Sequence, residues 1–548
     1  MQHPGLPGKP SHVFDRAAEW KGLTAFAGRP LPHAMLGIVS GRRRMGKTYL
    51  LRALVEERGG FYFGATAGTE AESLRQFSAA LADHARSPVP FSFATWSDAV
   101  SYLFGLAAPD RGGGLDRGGA LDRGGGLDRG GALDREGAPG RESVGSSATS
   151  GAPFLVVIDE FPYLAKVAPE LPSLIQREID RFQVERSHMR LLLCGSAMSV
   201  MGGLLASTAP LRGRAQLELV VRPFGYRAAA DFWGVTAEPA LAARLHAVLG
   251  GTPAYRRQFL ADDVPASLGD FDDWICRTVL SPFSPLFREA RYLLAEEADI
   301  RDTALYHSVL AAVAQGNTTR GGIAGYIGRK SVDISHPLNV LEDSHLLARE
   351  ADIFRAGKSQ YRITEPLITF YEAVMRPSWA RLESGQAAEV WAGSAERFAA
   401  QVAGPHFEGM CREYVLGPGR SLLRTSLGEI GGGVVSDPKA RRQIQVDVAA
   451  VEQGSGGSRP TVALLGEAKW GTVMGLGHLE RLRRAGELLT ARGMDTEDCL
   501  LACFSAAGFS DALRAEAKQG GVALVGLEEL YGAGGDRYEV GTDAAAGR

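Results

Sequence analysis

An eight-residue stretch, Gly41-Arg-Arg-Arg-Met-Gly46-Lys47-Thr48, lies between an apolar run at 34–40 and a helically spaced run at 48–58. It constrains the fold more than any other feature, because the pattern G-x-x-x-x-G-K-[ST] works only with a strand before it and a helix after it. Its glycines let backbone N–H groups wrap a polyphosphate. The helix N-terminus adds positive partial charge. Lys47 is placed to neutralise β- and γ-phosphates, and Thr48 offers a hydroxyl to magnesium. The spacing predicts a phosphate-binding loop of Gly41, Arg42, Arg43, Arg44, Met45, Gly46, Lys47 and Thr48, with Tyr49 behind it, and ATP with Mg2+ as its ligands.

A partner motif follows. In FLVVIDEF (154–161) apolar residues lead to Asp159 and Glu160, at the strand end where open α/β sheets bind ligands. Asp159 is expected to hold magnesium through water, and Glu160 to orient or deprotonate the attacking water. Ser196 ends another apolar run and is a candidate γ-phosphate sensor or a simple turn residue; Arg212 and Arg214 are candidates to reach the γ-phosphate. Apolar strands at 34–40, 61–67, 154–161 and 189–196 alternate with helical patterns at 48–58, 72–85 and 171–183. That alternation predicts an α/β fold with a parallel sheet covered on both faces.

At 548 residues the chain exceeds one core, so three or four folding units are expected. A net charge of −3 does not point to nucleic acid as a global partner. Five scattered cysteines, no apolar leader and no bilayer-length apolar run predict a cytoplasmic protein without a membrane partner. From Asp110 to Arg135 the unit Asp-Arg-Gly-Gly-(Gly/Ala)-Leu repeats, followed by a Gly/Ser-rich tail. Such a segment buries no core and is costly to order, so 108–152 is expected to be a disordered insertion.

GRRRMGKT, VVIDEFPYL, LLLCGSAMSVM, PLRGRAQLELVVRPF and GGTPAYRRQFL, in that order, closely resemble the archaeal-type ATPases, relatives of the AAA+ and STAND P-loop NTPases. FDRAAEWKGL (14–23) resembles their entry segment. The resemblance implies a P-loop domain at 12–235, a helical lid at 236–300 and a winged helix at 301–378. It implies that Pro253 in GGTPAY approaches the nucleotide, with Thr252 and Tyr255 as lesser candidates. Leu310, Val313, Ile323, Ile327, Leu338, Leu341, Leu346 and Leu347 would fill the winged-helix core. Arg329 and Lys330 would serve a DNA-binding role of that module; the preferred role is intramolecular, reporting nucleotide state.

Farther on, HFEGMCREYV (406–415) suits a helix carrying Glu408, QIQVDVAAVE puts Asp447 in a strand, and VALLGEAKW puts Glu467 and Lys469 on one strand face. Asp447, Glu467 and Lys469 match the D…E-x-K core of restriction-endonuclease-like folds, which resemble the domain following many archaeal-type ATPases. The resemblance implies such an α/β domain at 395–533, with residues 379–395 as a connector. Glu408, Asp447 and Glu467 would bind magnesium and Lys469 would steady hydroxide or phosphate. A glycine-rich stretch, GEIGGGVVSDPKARR, departs from the usual pattern there, and Lys439, Arg441 and Arg442 are candidates for a phosphate backbone or a solvated loop. The expected function is an ATPase whose nucleotide state controls a nuclease-like output, with DNA and further copies of the chain as candidate partners. The alternative is an ATP-gated STAND-type switch or scaffold without nuclease activity.

Overall fold

The computed structural model describes residues 8–108, 152–206, 208–295, 300, 302–422, 428–454 and 459–532. The insertion expected at 108–152 lies outside them except for its two end residues. The chain divides into two compact units. The first comprises the chain up to Ser40 with Thr48–Gly195 and Gly203–Val220; the second comprises Gly41–Lys47, Ser196–Gly202 and the chain from Val221 onward.

The first unit is built on a five-stranded parallel sheet. Its strands are β1 (Met35–Ser40), β2 (Phe61–Gly64), β3 (Phe154–Asp159), β4 (Met189–Gly195) and β5 (Ala215–Val220), in the order β2-β3-β4-β1-β5. β1, β3 and β4 are buried almost end to end. Their continuous Leu/Ile/Val runs are stable only with both sheet faces covered. The edge strand β5 alternates between half-buried and exposed positions, which explains why continuous apolarity does not single it out. Because β4 separates β1 from β3, the carboxyl ends of these three strands form one row, where open α/β sheets bind ligands.

From Val221 onward the second unit holds helices Tyr226–Trp233, Pro239–Leu249, Phe271–Arg277 and Leu286–Ala295. Three more, Thr303–Ala314, Arg320–Ile327 and Ser335–Asp343, lead into an antiparallel hairpin of β6 (Leu347–Ala351) and β7 (Ser359–Ile363). Of the core expected for that module, Leu310, Val313, Ile323, Leu338, Leu341, Leu346 and Leu347 are buried and Ile327 is half-buried. Residues 379–395, expected as a connector, hold the short helices Trp379–Glu383 and Ala387–Ala392, with a further turn from Ala395. Gly385 and Gly393 break these helices into pieces too short to show a 3.6-residue period.

A second five-stranded sheet closes the unit: β8 (Glu429–Asp437), β9 (Arg442–Glu452), β10 (Thr461–Lys469), β11 (Leu500–Ser505) and β12 (Val522–Val525). The β8-β9-β10 meander is antiparallel, and β10, β11 and β12 run parallel, giving the order β12-β11-β10-β9-β8. On one face, helix Gly404–Leu416 packs Phe407, Met410 and Cys411 with Val448, Leu464 and Phe504. On the other, helix Leu476–Ala491 packs Leu479 and Leu482 with Val451, Leu465 and Cys503. The edge strand β8 is formed by the glycine-rich stretch, whose composition carries little β-propensity.

Candidate functional site

The loop after β1 adopts the backbone its motif requires. Gly41 has φ +146° and Gly46 φ +85°. A Cβ on Gly41 would fall 2.4 Å from the Val221 carbonyl oxygen, so a larger residue is excluded there. Lys47 is buried, and its ammonium donates to the Gly41 and Arg42 carbonyls at 2.6 and 2.9 Å. The ammonium is thereby folded over the loop. Met45 is buried, and Arg43 is half-buried. Arg42 and Arg44 form ion pairs with Glu365 and Glu289, so these two loop side chains are engaged by carboxylates distant in sequence. Pro253 lies beside Gly46: a Cβ there would be 3.8 Å from the proline ring.

In the first unit, Thr48 Oγ1 donates to Asp159 Oδ2 at 2.7 Å. Tyr62, on β2, donates to the same oxygen at 2.8 Å. The other oxygen, Oδ1, accepts the Glu160 N–H at 2.9 Å. Both oxygens of this buried carboxylate are therefore oriented. Burial by itself raises the Asp159 pKa, but hydrogen bonds from Thr48, Cys194, Tyr62 and the Glu160 amide outweigh it and hold the carboxyl below its ordinary value. The Tyr62 phenol is pushed well above its ordinary value, by burial first and by Asp159 second. Glu160 follows in the left-handed region, φ 52°, a conformation that costs a non-glycine residue energy and recurs at functional turns. Exposed Thr48 and ionised Asp159 are hard oxygen donors of the kind magnesium takes. Tyr62 is a residue the motifs missed; its sole signal is its position on the strand paired with β3.

Other expected residues are placed as follows. Tyr49 is exposed and its hydroxyl donates to the His12 carbonyl at 3.3 Å. Ser196 is buried at the end of β4. Arg214 makes a bidentate pair with Asp180, at 2.7 and 2.8 Å, and Arg212 is exposed. Thr252 is buried, and Tyr255 donates to Glu365 at 3.4 Å. Arg329, Lys330, Lys439, Arg441 and Arg442 are all exposed.

The acidic residues of the second sheet converge. Lys469 Nζ lies 3.2 Å from Glu467 Oε1 and 3.6 Å from Asp447 Oδ2. Asp447 Oδ2 also accepts the Ala468 N–H at 2.9 Å. A register shift sets this up: Gly431 pairs with Ala449 but Gly433 with Val446, so Asp447 and Val448 together oppose Gly432. Such a bulge re-aims a strand residue and frees backbone groups. The freed Asp447 carbonyl accepts Arg412 Nε at 2.8 Å. Arg412 also pairs with Glu350 at 2.8 Å and with Glu408 at 3.5 Å. Burial, followed by the charge of Asp447, pushes the Glu408 carboxyl up to about 8. The glycines of β8 make room here: a Cβ on Gly432 would sit 3.0 Å from Arg412 Nη2.

Glu467 Oε1 is buried and lies 2.8 Å from Arg481 Nη2, yet takes no aligned hydrogen bond. A buried carboxylate oxygen without an aligned donor, close to a second buried carboxylate, is what a divalent cation satisfies. Among the described residues, no three His, Cys, Asp or Glu side chains form a complete ligand set. A cation would therefore draw on Asp447 and Glu467 together with water or a substrate oxygen. Arg412 and Arg481 were not singled out by sequence; no motif marks either.

No protein-family profile matches the chain. Over 235 residues it is 28% identical to "Uncharacterized protein MJECL04" of Methanocaldococcus jannaschii, covering 42% of this chain and 51% of that protein. The chain thus spans about half the length of the curated relative it matches. Among solved structures, the Walker-type ATPase PABY2304 of Pyrococcus abyssi is similar with a TM-score of 0.45 and 17% identity, over 68% of this chain and 99% of that one. The Aeropyrum pernix ORC2 protein, in its ADPNP-ADP complexes, is similar with a TM-score of 0.35 and 13% identity, over 72% and 98%. Cdc6p from Pyrobaculum aerophilum has a TM-score of 0.31 and 13% identity, over 72% and 97%. Among the described residues, no helix is long and apolar enough to cross a membrane.

Proposed function

We propose that this chain is a magnesium-dependent ATPase whose nucleotide state controls a C-terminal nuclease-like domain. The observation that carries the ATPase reading is the 2.7 Å hydrogen bond from Thr48 to Asp159. It joins the residue after the loop lysine to the acid ending β3. In this reading the N–H groups of Gly41–Thr48 and the Lys47 ammonium bind the phosphates, with Pro253 beside them. Magnesium, held at Thr48 and Asp159, neutralises charge developing on the phosphate oxygens. Glu160 orients the attacking water and accepts its proton as the bond to the ADP oxygen breaks. Ser196 senses the γ-phosphate. Arg214 reaches it only by exchanging its pair with Asp180.

The nuclease-like reading is supported by element order and by side-chain convergence. A helix, a three-strand meander, a second helix and a parallel strand bring Asp447, Glu467 and Lys469 together beside Glu408. Asp447 and Glu467 would hold the cation with water or a substrate oxygen completing its shell, Glu408 would act from beside them rather than as the third ligand expected from sequence, and Lys469 would place hydroxide against a phosphodiester. The module at 303–363 has the helix order and hairpin of a winged helix. Its intramolecular role is supported by the hairpin end: Ile353 N–H donates to the Gly432 carbonyl at 3.1 Å, and Asp352 accepts the Val434 N–H at 3.2 Å.

A specific observation favours the second reading, an ATP-gated switch without nuclease activity. Arg481 Nη2 lies 2.8 Å from Glu467 Oε1 and already supplies the positive charge that a cation would bring there. Incubating linear and supercoiled DNA with protein, Mg2+ and ATP separates the readings. Cleavage that Asp447→Ala and Lys47→Ala both abolish supports the nuclease output. Cleavage absent under all conditions, with ATP-dependent assembly, supports the switch. Undiminished ATP hydrolysis by Lys47→Ala rejects the ATPase site itself.

A further inference from the structure

The phosphate-binding loop carries cations at two positions that its motif leaves open, Arg42 buried and Arg44 half-buried, and each is paired with a buried carboxylate distant in sequence. Arg42 pairs with Glu365, the residue capping helix Pro366–Phe370, and Arg44 pairs with Glu289 of helix Leu286–Ala295. Each glutamate side chain is only 1% exposed. Both pairs lie within the second unit. Neither stands alone. Tyr255 donates to Glu365 at 3.4 Å, Arg42 Nη1 donates to the His345 carbonyl at 3.4 Å, and the Arg44 guanidinium sits 4.3 Å from the centre of the Phe259 ring. Arg44 itself has φ 73°, a left-handed backbone that an arginine holds only when its surroundings fix it.

A buried carboxylate stays ionised only while its counter-charge stays in place, and removing one partner is far costlier than removing both. The loop side chains therefore cannot move without the two glutamates, and the glutamates belong to helices. A polyphosphate bound by the loop amides fixes the loop backbone and draws on the same guanidinium charge. Any free energy by which the ion pairs bias the loop must appear again as a bias of the helices by the nucleotide.

We propose that Glu289 and Glu365 are positioning residues of the phosphate-binding loop, and that their buried ion pairs link nucleotide occupancy to the packing of helices Leu286–Ala295 and Pro366–Phe370. This rests on the loop's reading as a nucleotide site. It identifies the residues through which occupancy is transmitted.

The test is hydrogen exchange on the full chain with and without MgATP, alongside binding of a fluorescent ATP analogue. Wild type, Lys47→Ala, Glu289→Gln and Glu365→Gln are compared. In wild type, MgATP changes exchange in both helices by roughly fivefold or more. Glu289→Gln loses that change in 286–295 and keeps it in 366–370; Glu365→Gln does the reverse; both still protect the loop. A merely structural defect would not produce this crossed pattern. Glu289→Asp should restore coupling. If a Gln variant does not fold, the double variants Arg44→Met/Glu289→Gln and Arg42→Met/Glu365→Gln, which leave no unpaired charge, are measured instead. Analogue binding with unaltered nucleotide-dependent exchange in the variants overturns the proposal while leaving the nucleotide site standing. Wild type that binds no analogue, or Lys47→Ala that binds it equally, overturns the site reading and the proposal with it.

Discussion

Tyr62→Phe removes one hydroxyl and leaves the ring in place, including its contact with the Arg52 guanidinium, 4.8 Å from the ring centre. The substitution loses the 2.8 Å donation to Asp159 Oδ2 and the hydrogen bond that the hydroxyl accepts from Arg52, and the cycle with Asp159 isolates the first. Asp159 is only 2% exposed, so water does not replace the donor. A hydrogen bond to a charged group contributes about 1.5–3 kcal/mol. The carboxylate keeps Thr48 on the same oxygen and the Glu160 amide on the other, which puts the expected loss at the lower end, about 1.5–2 kcal/mol. The measurement is a double-mutant cycle with Asp159→Asn, read on the denaturation transition that ATP shifts, because a chain with two units need not unfold in one step. A coupling energy near that loss is expected. In parallel, the Mg2+ concentration that half-saturates nucleotide binding should rise roughly tenfold, the equivalent of about 1.4 kcal/mol, while metal-free nucleotide binding stays unchanged. A coupling energy below about 0.5 kcal/mol, the usual error of additivity, would refute the assignment of Tyr62 as the residue that orients Asp159.

Glu160→Gln should bind ATP as wild type does and turn it over about 100-fold or more slowly, as loss of a general base does; single-turnover kinetics against equilibrium binding checks this. His246 and His406 face each other with ring nitrogens 2.7 Å apart. Burial lowers His246 to about 4 and His406 well below its ordinary value, with Arg362 and the neighbouring imidazole adding to the shift of His406. Both are then neutral when folded and protonated when unfolded in mild acid, so their stabilisation is complete above pH 6.5 and fades as pH falls toward 4. For His246 the loss amounts to roughly 3 kcal/mol across that window, and thermal melts of wild type and His246→Asn at several pH values should show the variant losing less. Gly433→Val should detach the hairpin end, since a Cβ there would lie 2.6 Å from the Phe354 ring and 2.9 Å from Asp352 Oδ1. Overpacking of this kind costs about 1–3 kcal/mol, and faster hydrogen exchange at 352–354 would report it.

The features legible in the residue order are those that depend on neighbours a few positions apart. The loop from Gly41 to Thr48, the apolar strands ending at Ser40 and Asp159, and the E-x-K spacing of Glu467 and Lys469 are all local patterns. Strand and helix periods make such patterns legible. The partners are fixed only by folding. Which glutamates take Arg42 and Arg44, which tyrosine orients Asp159, and which arginines meet Glu408 and Glu467 depend on residues up to hundreds of positions away. The bulge that frees the Asp447 carbonyl for Arg412 exists only once β8 and β9 are paired. Arginines and acids are common on any surface, and a charge acquires a defined role only when folding removes water from it and leaves one counter-charge within reach.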